Sequence, residues 1–153
     1  MKKRPDETAA GDEKMGKLFG YPEFDADGEM ILTTYENEYS EMMMDIRGYR
    51  MKAGETRKFG RQGEETAMLL LSGKVTYQWQ EEQQTVSRKD VFTEGPWALH
   101  ICTGKEAAVT AEEDSEILMQ CTRNEKTFAS RLYAPEDAPW GYSCLGKFGN
   151  VAK

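Results

Sequence analysis

The segment GETRKFGRQGEETAMLLLSG, residues 54–73, has the layout of a metal-binding β-hairpin. It begins and ends with glycine, has a polar middle and closes with an apolar stretch that suits a buried strand. Catalytic metal sites use about three protein ligands, and imidazole and carboxylate groups are the donors that suit such ions. The segment contains no histidine, and His100 is the only histidine of the chain. The sequence therefore predicts no multi-histidine metal centre, no metal ligand and no cofactor.

The elements that would position these residues are short β-strands. Glycine, proline or acidic turn residues recur about every 8–12 residues. The stretches between them are either apolar or alternate between apolar and polar residues. No segment has the sustained 3.6-residue apolar period of an amphipathic helix. Many short strands at this spacing are typical of a sandwich or barrel. We expect an all-β, antiparallel sandwich or barrel of the jelly-roll type.

Two stretches give more specific expectations. In SEMMMDIRGYRM, Met42, Met44 and Ile46 alternate with residues that are mostly polar, which predicts a strand with one apolar face. In TAMLLLSGKVTYQWQ, the Ser72-Gly73-Lys74 triplet predicts a tight hairpin that joins two strand segments.

The predicted domain organisation has three parts. Residues 1–17 are charged, rich in glycine and alanine, and lack an apolar period, so they are expected to form a flexible arm. Residues 18–128 carry the strand pattern of one domain. Residues 129–153 contain Pro135, Pro139 and several glycines, which predicts an extended C-terminal strap.

The spacing of the opening segment resembles the first motif of the cupins. In that motif a glycine is followed after five residues by H-x-H, then after three or four residues by glutamate, and after six more by glycine. Gly54 and Gly73 match the two glycines, but Gly60, Gln62 and Thr66 stand at the ligand positions. His100 matches the histidine of the second cupin motif. It is interpreted either as a strand histidine satisfied by hydrogen bonds or as a residue that contacts a ligand inside the barrel.

Longer stretches resemble the N-terminal half of 5-deoxyglucuronate isomerase, the bicupin enzyme of myo-inositol catabolism, and its relative, the uronate ketol-isomerase of pectin breakdown. The resemblance covers residues 18–153 and rests on YSEMMMDIRGYRMKAGET, MLLLSGKVTY, RKDVFTEGPWALHICTGKEAAVTAEEDSEILMQCTR and YAPEDAPWGYSCLGKFGNVAK. It implies a cupin-like fold. The family's metal site lies in its C-terminal half, so the resemblance implies isomerase chemistry only together with such a half.

Aldose–ketose isomerisation of a deoxy-uronic acid needs a proton carrier and an electrophile for the enediolate oxygen. Glu64, Glu65 and His100 are the proton carriers expected near a barrel mouth. A substrate carboxylate could be held by a guanidinium fork; the arginines considered are Arg47, Arg50, Arg57 and Arg61, each of which could equally be a solvated strand-edge charge.

The alternative function is a non-catalytic cupin module that binds a small sugar acid or mediates oligomerisation. The aromatic residues Tyr77, Trp79 and Trp97 of the chain would either fill the core or form a surface on which a sugar ring stacks. No catalytic residue is assigned. The candidate ligand-binding residues are His100, Gln62, Glu64, Trp79 and Arg61.

The charge and the cysteine content limit the partners and the cellular compartment that are expected for this protein. The formal charge is −7 and basic residues are scattered among acids, which argues against nucleic acid. No apolar run approaches the ~20 residues of a membrane helix, and the N-terminus lacks the apolar stretch of a signal peptide. Cys102, Cys121 and Cys144 are odd in number and widely spaced, which favours reduced thiols in the cytoplasm. Unpaired sheet edges of a single cupin half predict a homo-oligomer.

Overall fold

The computed structural model describes residues 20–137, and almost all of this region is β-structure. The nine strands are β1 (Glu29–Thr33), β2 (Met44–Met51), β3 (Thr56–Phe59), β4 (Glu64–Trp79), β5 (Glu82–Arg88), β6 (Trp97–Ile101), β7 (Ala107–Ala111), β8 (Ser115–Arg123) and β9 (Arg131–Tyr133). Short 3-10 turns cover Ser40–Met42 and Pro135–Asp137. Within residues 20–137, neither turn is long and apolar enough to cross a membrane.

The strands form two antiparallel layers that share β4. The first half of β4 lies between β8 and β6 in the order β1-β2-β8-β4-β6-β9, whereas its second half pairs with β5 and β7, and β7 pairs with β3. The Tyr77 hydroxyl in the second layer donates to the Met68 carbonyl in the first, at 3.2 Å. The layers therefore face each other as a sandwich that is not closed into a barrel. This confirms the predicted all-β, cupin-like architecture.

The core lies between the two layers. Met68, Leu70 and Leu99 of the first layer and Val75 and Tyr77 of the second are completely buried. Alternate residues of β4 supply four of these side chains and β6 supplies Leu99, because successive residues of a strand point to opposite faces.

The predicted hairpin at Ser72-Gly73-Lys74 is wrong. β4 continues through these residues without reversing, and its register with β8 shifts between Leu70 and Ser72 as it passes from one layer to the other. Gly73 has φ +101°, and a Cβ there would lie 2.3 Å from the Ser115 Oγ. Glycine at this position therefore allows a sharp bend pressed against the start of β8, not a chain reversal.

The apolar face predicted for the strand now called β2 does not face the core. Asp45, Arg47 and Tyr49 pair with Cys121, Met119 and Ile117 of β8, and residues directly opposite in an antiparallel pair share a face. Tyr49 and all three of these β8 partners belong to the core cluster. Asp45 and Arg47 consequently point between the layers, and Ile46 lies on the other face.

The predicted N-terminal arm, residues 1–17, lies outside the described residues, as do residues 138–153 of the predicted strap and Cys144. The described start of the strap contributes β9, which pairs with β6 at the edge of the first layer. The two boundaries between the three parts stay predictions.

Candidate functional site

A polar cavity of about 360 Å³ opens between β2 of the first layer and β3 of the second. Met119 and Cys121 of β8 contribute to its wall. The cavity lies where β3 crosses over β2: the Tyr49 and Phe59 rings meet edge to face at 5.4 Å between centroids. Its charged and phenolic lining consists chiefly of Glu29, Arg47, Tyr49, Arg57 and Arg61.

A buried carboxylate organises two of these arginines. The Asp45 side chain is 4% exposed and accepts a bidentate pair of hydrogen bonds from Arg47, at 2.7 Å from Nε and 3.0 Å from Nη2. Arg61 Nη1 donates to the same carboxylate at 2.9 Å. Burial by itself would raise the pKa of Asp45, but the hydrogen bonds from Arg47 and then Arg61 outweigh it and lower that pKa. Asp45 is therefore an ionised anchor for both guanidinium groups.

Glu29 of the edge strand β1 occupies the opposite side of Arg47. Its Oε1 accepts from Arg47 Nη1 at 2.6 Å and from the Tyr49 hydroxyl at 3.2 Å. Burial, followed by the negative charge of Glu29, raises the pKa of Tyr49 to about 12. The phenol therefore keeps its proton and acts as a donor inside the cavity.

Cys121 and Thr66 lie side by side at the inner end of the site. They are register partners on β8 and β4, and the Thr66 Oγ1 is 3.3 Å from the Cys121 Sγ. Burial raises the pKa of the Cys121 thiol, although the Thr66 hydrogen bond lowers it in part. Cys121 is consequently a neutral thiol and not an activated nucleophile.

The residues at the cupin ligand positions do not fit a metal ion. Gly60 has no donor side chain, Gln62 is exposed, and the Thr66 hydroxyl is buried against Cys121. Across residues 20–137, no group of three or more histidine, cysteine, aspartate or glutamate side chains is placed to hold a metal. The carboxylates nearest these positions, Asp45 and Glu64, are instead paired with Arg61.

His100 lies on the outer face of the first layer, away from the cavity. It pairs with Ala67 on β4, while its neighbours Leu99 and Ile101 point into the core. Its Nε2 is 3.6 Å from the Glu65 Oε2, and its ring lies 4.5 Å from that of Phe128. The structure therefore places Glu65 and His100 together, but on the face opposite Thr66.

The other four predicted site residues fall in three places. Arg61 lines the cavity, and its Nη1 is 3.4 Å from the Glu64 Oε2. Glu64 and Gln62 line a separate shallow depression of about 350 Å³ beside Arg123. Trp79 is 5% exposed in the core of the second layer. Only Arg61 and Glu64 come together with the Asp45 network, and ligand binding by the five predicted residues stays a prediction.

The sequence reasoning missed Asp45, Glu29, Tyr49 and Cys121 as members of the site, although it considered Arg47 and Arg57 as carboxylate-binding groups. A signal was present in the stretch DIRGY, where Asp45, Arg47 and Tyr49 alternate and so share one face of the strand. The link to Glu29 comes from the pairing of β1 with β2, which no local pattern shows.

Comparison with known proteins identifies the family. The sequence model of the KduI/IolB family matches residues 19–142. No curated protein matches the chain. Solved structures of similar fold include an IolB-like protein from Salmonella typhimurium LT2, with 20% identity and a TM-score of 0.58 over 61% of this chain and 37% of that one.

Two further structures share the fold. Protein YlbA from E. coli is 16% identical, with a TM-score of 0.57 over 76% of this chain and 49% of that chain. A predicted oxalate decarboxylase from Thermotoga maritima is 12% identical, with a TM-score of 0.53 over 67% of this chain and 92% of that chain. The chain thus spans only about a third of the Salmonella protein it resembles. The family match covers most of the sequence and agrees with the fold, so the chain belongs to the KduI/IolB family.

Proposed function

We propose that this cupin domain binds a small sugar acid, such as a hexuronate, in the cavity between β2 and β3. The observation that carries the proposal is the convergence of Arg47, Arg57 and Arg61 on one cavity. A volume of about 360 Å³ falls within the usual range of small-molecule sites. Guanidinium groups favour carboxylate ligands because their planar N–H donors match the carboxylate oxygens.

Arg61 supplies the donors that are available to a ligand. Its Nη1 is engaged by Asp45 and Glu64, whereas its Nε and Nη2 have no partner among residues 20–137. Its side chain is 43% exposed, so a ligand in the cavity can reach it. Arg57, by contrast, is held by the Glu55 carboxylate and the Asp27 carbonyl. Replacement of Arg61 should therefore weaken ligand binding while the rest of the cavity lining stays in place.

The expected result is that D-glucuronate binds the wild-type chain and that Arg61→Gln weakens the affinity about tenfold or more. A hydrogen bond to a charged group contributes about 1.5–3 kcal/mol, and 1.4 kcal/mol corresponds to a factor of ten. Isothermal titration calorimetry with glucuronate, and with D-glucose as the neutral ligand, measures this directly.

Arg131→Gln is the matched control, since Arg131 is exposed and pairs with Asp137 away from the cavity. Its affinity for glucuronate should equal that of the wild type. Glucose binding as tight as glucuronate, or no glucuronate binding to the wild type at all, would remove the sugar-acid proposal.

We further propose that this domain does not catalyse isomerisation by itself. Catalysis of a reaction such as 5-deoxyglucuronate isomerisation would need a separate, metal-bearing half. The proposal is supported by the poor fit of Gly60, Gln62 and Thr66 to a metal. An isomerase assay with 5-deoxyglucuronate and added Mn²⁺ or Zn²⁺ should give no turnover above the buffer rate; turnover by this chain would overturn the proposal.

Self-association is a second role, supported by the sheet edge at β1. Ile31 on this strand is exposed, and Met42 and Met43 beside the start of β2 are exposed as well. β1 pairs only with β2 in the described part of the chain, so its other edge can add a strand from another copy. Light scattering should give a mass above the 17.4 kDa of one chain; a monomer at high concentration would contradict this.

A cytoplasmic location is proposed from the free, buried Cys102 and Cys121.

A further inference from the structure

Glu29 makes, inside the cavity, the contacts that a carboxylate ligand would make. One of its oxygens, Oε1, accepts from both Arg47 Nη1 at 2.6 Å and the Tyr49 hydroxyl at 3.2 Å. All three residues line the same cavity. A guanidinium N–H and a phenol O–H that converge on one carboxylate oxygen can together hold the carboxylate of a ligand.

The two donors are held in place independently of Glu29. Arg47 is fixed through Nε and Nη2 to the buried Asp45, which leaves Nη1 as the nitrogen directed at Glu29. Tyr49 is packed in the core cluster, where its ring contacts Phe59. Removal of the Glu29 carboxylate would therefore leave both donors aimed into the cavity without an acceptor.

Glu29 itself can leave this position by rotating its side chain. The backbone of Glu29 is tied to Asp25 by two hydrogen bonds, one of which joins its N–H to the Asp25 Oδ1 at 2.8 Å. Its side chain is 25% exposed and extends from an edge strand, so rotation toward solvent breaks no backbone pairing. The exchange of one carboxylate for another conserves the charge around Arg47.

We propose that Arg47 Nη1 and the Tyr49 hydroxyl form a carboxylate-binding subsite, which Glu29 occupies as an internal substitute until a ligand carboxylate displaces it. The inference rests on the proposed function for the identity of the natural ligand, a sugar acid. The subsite itself is tested with simple carboxylates and does not depend on that identity.

The first test is chemical rescue of Glu29→Ala. This variant should melt below the wild type, and acetate or propionate should raise its melting temperature saturably, by about 3–6 °C at ten times the dissociation constant. Sodium chloride at equal ionic strength and neutral acetamide should have no such effect. The wild type should respond to acetate less than Glu29→Ala does at the same concentration, because acetate must compete there with the Glu29 carboxylate.

Glu116→Ala is the matched control, because Glu116 also pairs with an arginine, Arg50 at 2.6 Å, but outside this cavity. It should show no saturable rescue. The absence of acetate rescue in Glu29→Ala, or equal rescue in Glu116→Ala, would overturn the subsite.

Glu29→Gln provides a test that does not require the alanine variant to fold. It keeps the shape of the side chain but removes the charge that competes with the ligand, so its affinity for glucuronate should exceed that of the wild type about tenfold. If affinity is unchanged while Arg61→Gln still weakens binding, the subsite is wrong and the proposed function stands. If acetate rescues Glu29→Ala but no variant binds glucuronate, the subsite stands and the proposed sugar-acid function fails.

Discussion

Replacement of Asp45 by alanine should lower the free energy of unfolding by about 3–5 kcal/mol, because it leaves two guanidinium groups without their shared buried counter-ion. The Asp45 side chain is 4% exposed and takes three hydrogen bonds from Arg47 and Arg61. Urea unfolding at pH 7, followed by tryptophan fluorescence, measures the loss. A change of less than about 1 kcal/mol would show that the network does not support the fold.

Glu106→Ala is the control for this experiment, since Glu106 pairs with Lys58 at 3.1 Å on the exposed surface. Removal of such an exposed ion pair should change the stability by at most about 1 kcal/mol. A loss equal to that of Asp45→Ala would mean that the assay reports general charge effects rather than the buried pair.

The Asp45 effect should also depend on pH in a defined direction. Burial raises the pKa of Asp45, but hydrogen bonds from Arg47 and Arg61 outweigh it and lower the folded-state pKa below the unfolded value of about 3.9. The stabilisation is then complete above about pH 4 and is lost as the pH falls through the lower, folded-state pKa. The difference between wild type and Asp45→Ala should therefore shrink in acid.

Gly60→Ala should cost about 2–6 kcal/mol, the combined cost of backbone strain and overpacking. Gly60 has φ +121°, and a Cβ there would lie 2.0 Å from the Lys105 carbonyl oxygen. Any side chain at this position, including a histidine at the cupin ligand position, must push the loop before β7 away. Urea unfolding of Gly60→Ala measures the cost.

Gly54→Ala separates the two causes. Gly54 also has a positive φ, +85°, but no atom lies within 4 Å of the place that a Cβ would take. Gly54→Ala should therefore lose only the free energy of unfolding that corresponds to the backbone strain, about 1–2 kcal/mol. Equal stability of the two variants would show that the loop at Lys105 moves freely, and that steric crowding does not exclude a histidine at position 60.

Local chemistry was enough to predict the class of fold. Alternating and apolar stretches separated by turn residues predict strands, and the number and shortness of these strands predict a sandwich or barrel. The family resemblance lay in the same strand and turn pattern, and the match over residues 19–142 confirms it. The single histidine also ruled out a multi-histidine centre, because composition alone sets the number of available imidazoles.

Tertiary pairing decided the location of the site. In DIRGYRM the alternation of side chains is clear, but the usual rule that apolar residues face inward selects the wrong side. Asp45 and Arg47 point inward because their charges neutralise each other and because β2 pairs with β8 in a register that puts them opposite Cys121 and Met119. A shift of one residue would exchange the two faces, and register is a property of two strands rather than one.

Strand pairing also explains the positions of His100 and Glu29. The motif spacing places His100 on the correct strand but leaves open which face it occupies, and pairing with β4 turns it outward toward Glu65. Glu29 and Tyr49 are twenty residues apart in sequence and meet only because β1 folds back on β2. Sequence by itself determined that the chain forms β-strands and which chemical groups exist. The long-range hydrogen-bonded register determined which of those groups share a cavity.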